Sequence, residues 1–316
     1  MSELLKNVVG RQPRAIARAV TLAENGDEAF LQALDTRFSS IPQAARLGIT
    51  GPPGAGKSTL TSALVAEIRV VNNSRLGVVA IDPSSPFSGG ALLADRVRMN
   101  EHVLDPDVFV RSMASRGQFG GLAIGAEDAC EIMALAGFDP IIVETVGVGQ
   151  SEVDIARLAD TTLVVLTPSA GDSMQALKAG IMEVADIVVI NKADHKGARK
   201  LQDDVQEALE LRPHPPEGKP FWIPPIVQTV ATEKRGMPEL LKEIGRHSEF
   251  LKDNNLLEFR ATERIENRVR DLTRQALQRM TSQGGKLELA LQEATKRVRS
   301  QKQSPRQAVK ALLEEL

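Results

Sequence analysis

The chain has 316 residues, of which 42% are hydrophobic and 25% are charged, and its formal net charge is -2. This composition is that of an ordinary globular protein, and a net charge so close to zero gives no electrostatic basis for binding nucleic acid or a membrane surface. Aromatic residues make up only 3% of the chain, with no tyrosine and one tryptophan, which argues against a surface that stacks bases.

The first segment, residues 1–44, is expected to form a helical extension. Apolar residues recur at helical spacing over Pro13–Ala23 and again over Glu28–Phe38, and the turn-forming residues 25–27 separate the two stretches. The pattern predicts a helical hairpin whose main role is packing.

Residues 47–60, LGITGPPGAGKSTL, carry a complete phosphate-binding loop between an apolar strand and a helix. Its glycines allow backbone N–H groups to converge on phosphate oxygens, and the following helix adds the positive end of its dipole. Lys57 is expected to reach the β- and γ-phosphates, and the Ser58 hydroxyl to take a place on Mg²⁺. The predicted nucleotide-binding residues of this loop are Gly51, Gly54, Ala55, Gly56, Lys57, Ser58 and Thr59.

Short apolar stretches alternate with helical segments between residues 45 and 252. They are rich in β-branched residues and apolar throughout, which is typical of buried parallel strands. They lie at 47–50, 76–82, 107–111, 139–144, 161–167, 186–191 and 224–230. The alternation predicts an α/β domain with a doubly wound, mainly parallel sheet. Ligand-binding groups in such sheets follow the carboxyl ends of the strands.

The only cysteine, Cys130, lies in a helical stretch and is expected in the core. A single thiol forms no intramolecular disulfide, which suits a reducing compartment. The N-terminal residues lack the apolar core of a signal peptide, and no apolar stretch is long enough to span a bilayer. We therefore expect a cytoplasmic protein.

Three acids that follow predicted strands form a candidate metal site. Asp82 ends the second strand, Asp95 lies in the loop after it, and Glu144 ends the fourth strand. Glu144 also begins an acid-x-x-Gly sequence that ends at Gly147, whose bare N–H can approach a γ-phosphate. We expect these acids to hold Mg²⁺, directly or through water.

The sequence NKAD at 191–194 follows an apolar strand and predicts the nucleotide base. The carboxylate of Asp194 can accept hydrogen bonds from both N1–H and N2–H₂ of guanine, whereas adenine offers neither donor there. The stem of Lys192 can cover the base plane, and the end of the last strand can offer a backbone N–H to guanine O6. The expected base-binding residues are Asn191, Lys192, Asp194, Val230 and Ala231.

Residues 253–316 are expected to form a C-terminal helical arm. Apolar stripes at helical spacing run over 256–280 and 287–298, separated by two glycines. These helices are too few and too short to form a domain by themselves, so their apolar stripes need a surface to pack against. We favour dimerisation of the arm over packing against the core. The capping pattern of a last helix that runs to Leu316 is formed by Ser304, Pro305 and Gln307.

Five stretches of the chain are similar to the MeaB/ArgK family of P-loop GTPases, which includes the human methylmalonic-aciduria type A protein. They are GPPGAGKSTL, VVAIDPSSPFSGGALLADRVRM, VFVRSMASRGQFGGLA, FDPIIVETVGVGQSE and LTPSAGDSMQALKAGIMEVADIVVINKAD. The resemblance covers essentially the whole chain, and the stretches around Asp82 and Glu144 are far more specific than the phosphate-binding loop.

The resemblance implies a homodimeric GTPase that chaperones an adenosylcobalamin-dependent acyl-CoA mutase, gates its cofactor loading, and protects or reactivates it. The chain itself is then expected to bind GTP or GDP and Mg²⁺ but no cobalamin. The catalytic residues that the resemblance implies are Lys57, Asp82, Glu144 and Lys178. The implied metal residues are Ser58, Asp82, Asp95 and Glu144. Gly147 matches switch II, and a further mobile loop that answers to the mutase, switch III, is matched by Asp172, Gln175 and Lys178.

The chain departs from related GTPases at three places. In switch I, the sequence SPFSGG differs from the commoner polar sequence. Val148 follows the sensor glycine where Ras-like GTPases carry a glutamine, and Gln150 is two positions further on. Hydrolysis is therefore expected to be slow until a partner or a rearranged switch completes the site. In switch III, Lys178 is followed by Ala179, where the family members most like this chain have a second lysine.

Two alternative functions are weighed against this one. A nickel-delivery GTPase needs neighbouring histidine or cysteine ligands, but the four histidines are scattered along the chain and there is one cysteine. A P-loop kinase that acts on a small molecule or a transport protein would use the same phosphate-binding loop. The guanine-reading sequence at 191–194 argues against that kinase.

Overall fold

A computed structural model describes residues 1–83, 100–102, 104–115, 121–145, 151–168, 181–212, 216, 218–281 and 287–314. The chain divides into two compact units, residues 1–265 and residues 266–316. Asp95, Gly147, Asp172, Gln175 and Lys178 lie outside the described residues, so their predicted roles stay predictions. None of the helices in the described ranges is long and apolar enough to cross a membrane.

The first unit is built on a seven-stranded sheet with the strand order β3-β2-β4-β1-β5-β6-β7, and every neighbouring pair is parallel. The strands are β1 (Arg46–Thr50), β2 (Leu76–Pro83), β3 (Val108–Ser115), β4 (Ile141–Thr145), β5 (Thr161–Leu166), β6 (Ile187–Asn191) and β7 (Ile226–Thr229). The predicted doubly wound α/β fold is confirmed, with all seven strands at the predicted places. Every residue of β4, β5 and β6 is buried, as uniformly apolar strands require.

Helices cover both faces of this sheet. Those of the first unit are α1 (Ser2–Val9), α2 (Pro13–Glu24), α3 (Glu28–Asp35), α4 (Lys57–Asn72), α5 (Gly121–Leu135), α6 (Ser151–Leu158), α7 (Ala198–Glu210) and α8 (Met237–Asp253). Val79 and Val143 pack against the N-terminal helices, α5 and α6, whereas Val78 and Ile142 pack against α4 and α8. Successive residues of a strand point to opposite faces, so one apolar run serves two cores.

Short 3₁₀ helices complete the first unit at Phe38–Ser40, Asn100–His102, Ile181–Val184 and Ala231–Glu233. The predicted thiol burial is confirmed, since Cys130 on α5 is fully buried. Burial raises the pKa of this thiol to about 11. The cysteine is therefore a small apolar core residue rather than a reactive group.

The N-terminal extension differs in part from the predicted hairpin. It has a third helix, α1, whose buried residues Leu5 and Val8 join the core. The expectation that the second predicted helix continues to Phe38 is wrong, because α3 ends at Asp35 and Phe38 is 58% exposed. The backbone tightens there to the i→i+3 hydrogen bonding of a 3₁₀ turn, with Arg37 N donating to Leu34 O over 2.8 Å.

A buried polar cluster lies at the amino edge of the sheet, opposite the predicted nucleotide site. Asp186 accepts hydrogen bonds from Arg260, and Nε2 of the fully buried His247 lies 3.3 Å from its Oδ1. Burial alone would favour the neutral acid, but the close approach of His247 and the hydrogen bonds from Arg260 outweigh it and lower the pKa of Asp186 to about 2. Through Arg260, the cluster thereby attaches the start of the helix Leu256–Thr281 to this edge of the sheet.

The remaining helices are α9 (Leu256–Thr281), α10 (Glu288–Arg299) and α11 (Pro305–Glu314). Within the second unit, α10 and α11 bury Ala294, Ala308 and Leu312 between them. The capping pattern of the last helix is confirmed, with Ser304 N donating to Gln307 Oε1 and Gln307 N donating back to Ser304 Oγ.

Candidate nucleotide-binding site

The phosphate-binding loop connects the carboxyl end of β1 to the first residue of α4, Lys57. Gly51 has φ +139°, and a side chain there would lie 2.1 Å from the carbonyl oxygen of Val165 on β5. Gly56 has φ +85°, and a side chain there would lie 2.5 Å from Asn191 Nδ2. These glycines are thus required by the neighbouring strand and the base loop as well as by any phosphate.

Lys57 is folded back into the loop that precedes it. Its side chain is buried, and Nζ donates to the carbonyl oxygens of Gly51 and Pro52 over 2.7 Å and 2.9 Å. Helix α4 begins at Lys57, and Gly56 before it provides no side-chain cap. The first N–H groups of the helix and the positive end of its dipole therefore face the loop. Positive charge and backbone donors therefore converge where phosphates are predicted.

Glu144, at the carboxyl end of β4, is held by two hydroxyl groups of α4. Ser58 Oγ donates to Glu144 Oε1 over 2.7 Å, and Thr61 Oγ1 donates to Oε2 over 2.8 Å. All three side chains are at least 95% buried. A carboxylate beside a hydroxyl is a hard-oxygen donor pair of the kind that suits Mg²⁺.

This donor pair would not by itself make a metal site. Among the described residues, no group of three or more His, Cys, Asp and Glu side chains could hold a metal ion. The backbone of Asp82 lies on β2, next to β4, one residue beyond the level at which Ile81 pairs with Thr145. The structure therefore brings the backbone of Asp82 to the same sheet edge as Glu144, but the side chain of Asp82 is not described.

Asn191, at the carboxyl end of β6, joins the predicted base loop to the phosphate-binding loop. Its Nδ2 donates to the carbonyl oxygen of Ala55 over 2.9 Å, and its Oδ1 accepts from Thr229 Oγ1 and Ala231 N, both at 3.2 Å. Lys192, with φ +56°, adds a bond of 2.9 Å from Nζ to Gly54 O. The residues predicted to hold the base and the phosphates therefore form one connected structure.

The predicted base reader, Asp194, stands at the open side of this loop. Its side chain is 42% exposed, and His195 Nε2 lies 3.8 Å from its Oδ2. An accessible carboxylate can accept hydrogen bonds from the two N–H donors of guanine. The base-reading role of Asp194 stays a prediction.

The two backbone N–H groups predicted to face guanine O6 have protein partners in this structure. Val230 N donates to Arg235 O over 3.1 Å, and Ala231 N donates to Asn191 Oδ1 over 3.2 Å. A donor to O6 from either residue would have to share or replace one of these bonds.

Sequence reasoning missed one residue of the site, Thr61. The available signal was its spacing: Thr61 follows Ser58 by three residues, which places both hydroxyls on one helix face. That face is directed at Glu144. Thr59, predicted as a nucleotide-binding residue, lies between them on α4 and is partly exposed.

Comparison with known proteins places these observations in a family. The family model described as "Methylmalonyl Co-A mutase-associated GTPase MeaB" matches residues 16–286. A protein of Pyrococcus abyssi, provisionally named as a GTPase, is 42% identical over 325 residues, covering 100% of this chain and 97% of its own. The GTPase ArgK of Escherichia coli is 35% identical over 247 residues, covering 76% of this chain and 73% of its own.

Two further similarities extend the comparison. The mitochondrial methylmalonic aciduria type A homolog of Mus musculus is 34% identical over 257 residues, covering 76% of this chain and 61% of its own. A crystal structure of a protein named as a LAO/AO transport system kinase superposes with a TM-score of 0.71 at 27% identity, covering 99% of this chain and 96% of that one. The superposition therefore extends along nearly the whole chain.

Proposed function

The chain belongs to the MeaB family of GTPases, and we propose that it uses GTP hydrolysis to control an adenosylcobalamin-dependent acyl-CoA mutase. In this proposal it gates cofactor loading of the mutase, and protects or reactivates it, without binding cobalamin itself. The observation that carries the proposal is the match of the MeaB family model over residues 16–286. The sequence relative named as a methylmalonic aciduria type A homolog supports the same partner class.

The proposed ligand is GTP or GDP with Mg²⁺. Lys57 would move from the carbonyl oxygens of its own loop to the β- and γ-phosphates, exchanging one set of buried acceptors for another. Ser58 and Glu144 would hold Mg²⁺ together with Asp82 and Asp95. A bound Mg²⁺ would neutralise charge that develops on the phosphate oxygens.

Hydrolysis is proposed to be slow in the isolated protein. Val148 stands where a Ras-like enzyme places the glutamine that orients the attacking water. We assign completion of the site to switch III, with Asp172, Gln175 and Lys178, when the mutase is bound. Lys178 is the residue of this set that can add positive charge near the γ-phosphate.

The proposed oligomer is a homodimer formed by the C-terminal arm. Ile265, Val269 and Leu272 on α9 belong to the predicted apolar stripe and are between 41% and 58% exposed in the single chain. A recurring apolar stripe of this kind is stabilised when a second helix covers it. A second copy presents the same stripe, which is the simplest way to close a symmetric interface.

The test is the release of inorganic phosphate from GTP, with and without a purified acyl-CoA mutase from the same organism. We expect a slow basal rate, at least about tenfold stimulation by the mutase, and little stimulation in Lys178→Ala. Lys200→Ala, an exposed lysine on α7, is the matched control and should respond like wild type. Basal and mutase-stimulated rates that do not differ, with no effect on cofactor transfer, would contradict the proposal.

The same assay separates hydrolysis from phosphoryl transfer to a small acceptor. With γ-labelled GTP, the proposal predicts that the label appears as free phosphate. Label on arginine or another small molecule would instead support a kinase, the activity for which the structurally similar LAO/AO transport system kinase is named.

A further inference from the structure

We infer that Thr61 is a positioning residue that orients the carboxylate of Glu144 for the magnesium site. The inference rests on the proposed function, because it assigns a role to a residue of this chain within the proposed GTP-Mg²⁺ site. Neither the sequence motifs nor the resemblance to the family assigns a role to Thr61.

The geometry places two hydroxyls on opposite sides of one carboxylate. Ser58 and Thr61 are three residues apart on α4, so their side chains lie on one face of the helix. Ser58 Oγ donates to Oε1 of Glu144 at 2.7 Å, and Thr61 Oγ1 donates to Oε2 at 2.8 Å. Each carboxylate oxygen therefore has its own hydroxyl donor from α4.

The hydrogen bond from Thr61 to Glu144 lies in a buried part of the protein. Thr61 has no exposed surface and Glu144 has 1%. In the sheet register, Glu144 stands between Ile49 of β1 and Ala80 of β2, two residues without polar side chains. Because Glu144 is almost fully buried, bulk solvent does not readily replace a hydrogen bond that its carboxylate loses.

The chemistry of Ser58 explains why orientation matters for a cation. A hydroxyl has one proton and two lone pairs. The Ser58 hydroxyl donates a hydrogen bond to Glu144 Oε1, and a hydroxyl that donates in this way can still offer its oxygen to a cation. The terminal torsion of a glutamate is broad and roughly two-fold, so the carboxylate has no strong preference of its own for this orientation. The bond from Thr61 to Oε2 supplies one.

The inference is tested by measuring how strongly Mg²⁺ enhances the binding of a fluorescent GDP analogue, a readout that does not depend on turnover. Thr61→Val keeps the side-chain shape and removes the hydroxyl, whereas Thr61→Ser keeps the hydroxyl. We expect the half-saturating Mg²⁺ concentration to rise about tenfold in Thr61→Val, the scale of one hydrogen bond to a charged group. It should stay within twofold of wild type in Thr61→Ser.

Thr161→Val is the matched control. Thr161 is 5% exposed, and its hydroxyl lies 2.9 Å from His247 Nδ1 at the opposite edge of the sheet. This variant also loses a buried hydroxyl contact, so it should lower the unfolding free energy without changing the Mg²⁺ response. Melting temperatures of all three variants separate an effect on the fold from an effect on the metal.

Three outcomes would overturn the inference. They are an unchanged Mg²⁺ response in Thr61→Val, an equal loss of GDP affinity with and without Mg²⁺, and an equal defect in Thr61→Ser. Failure of the proposed site is distinguishable from these, because it would appear as the absence of any Mg²⁺ effect on GDP binding by the wild-type protein.

Discussion

The side-chain amide of Asn191 donates a hydrogen bond to the backbone carbonyl oxygen of Ala55 over 2.9 Å, across 136 positions of the chain. The same side chain accepts hydrogen bonds from Thr229 and Ala231 on the other side. Because Asn191 is only 2% exposed, water does not compete for these bonds. The phosphate-binding loop and the base loop are thereby braced against each other.

Replacing Asn191 by alanine should weaken both the fold and nucleotide binding. The variant removes one donor and one acceptor that serve three buried partners, so we expect a loss of about 2–4 kcal/mol in the free energy of unfolding. GDP affinity should fall at least about tenfold. Urea denaturation and fluorescent-nucleotide titration measure the two effects.

The control for this prediction is Asn254→Ala. Asn254 is exposed and donates a single side-chain bond, to Phe250 O, so its loss should change stability by less than about 0.5 kcal/mol. An Asn191→Ala variant as stable as Asn254→Ala would show that the hydrogen bonds of Asn191 do not contribute to the free energy of unfolding.

Gly56→Ala should be more destabilising than a glycine replacement at the same backbone angle elsewhere. Gly56 and Gly218 both have φ +85°, but a side chain at Gly218 meets nothing within 4 Å. We expect about 1 kcal/mol of destabilisation for Gly218→Ala, from the left-handed backbone alone. Gly56→Ala should cost more by at least about 1 kcal/mol, because its side chain collides with Asn191 Nδ2.

Thermal or urea unfolding of the two variants makes this comparison. Equal losses of unfolding free energy would mean that Asn191 moves aside without an energetic cost. The close approach of the two loops would then not be the reason that position 56 needs a glycine.

The stability of the protein should fall with decreasing pH below about pH 4, and Asp186 should account for part of the fall. The ordinary pKa of its carboxyl is 3.8, and in the folded protein it is lowered to about 2. The unfolded chain therefore takes up a proton first as the pH drops. The stabilising contribution is fully present above pH 4 and is lost towards pH 2. It amounts to about 2 kcal/mol, since one pKa unit is worth about 1.4 kcal/mol.

Urea unfolding at pH 7, 5, 4 and 3 tests this prediction. Asp186→Asn should be less stable than wild type at pH 7, and the difference should shrink as the pH approaches 3. Asp203→Asn, an exposed residue on α7, serves as the control and should follow wild type throughout. A difference for Asp186→Asn that does not vary with pH would contradict the assignment.

The sheet could be predicted from the sequence because each strand is a short, uniformly apolar run. Buried parallel strands need that composition on both faces, and Val78 and Val79 show why: they are adjacent in sequence and enter opposite cores. The extension was harder to predict. The short helix α1 buries only Leu5 and Val8, and the end of α3 depends on a local 3₁₀ turn that periodicity does not reveal.

The candidate site could be predicted where a motif fixes chemistry in consecutive residues. Lys57, Ser58 and Asn191 fall where their motifs place them, at the carboxyl edge of the sheet. Contacts between distant segments could not be predicted in this way. The spacing of Ser58 and Thr61 puts both hydroxyls on one helix face, but no local pattern indicates that this face meets Glu144. Nor does one indicate that Asn191 limits the side chain at position 56.

The most direct test of the account is nucleotide binding by Asp194→Asn, measured calorimetrically with GDP and xanthosine diphosphate. Guanine presents N–H donors at N1 and N2, whereas xanthine has a carbonyl at position 2, which can accept from an asparagine amide. We predict that wild type binds GDP, and that Asp194→Asn loses at least about 100-fold in GDP affinity while gaining affinity for xanthosine diphosphate. Undiminished GDP affinity in Asp194→Asn would contradict the base-reading role of this carboxylate.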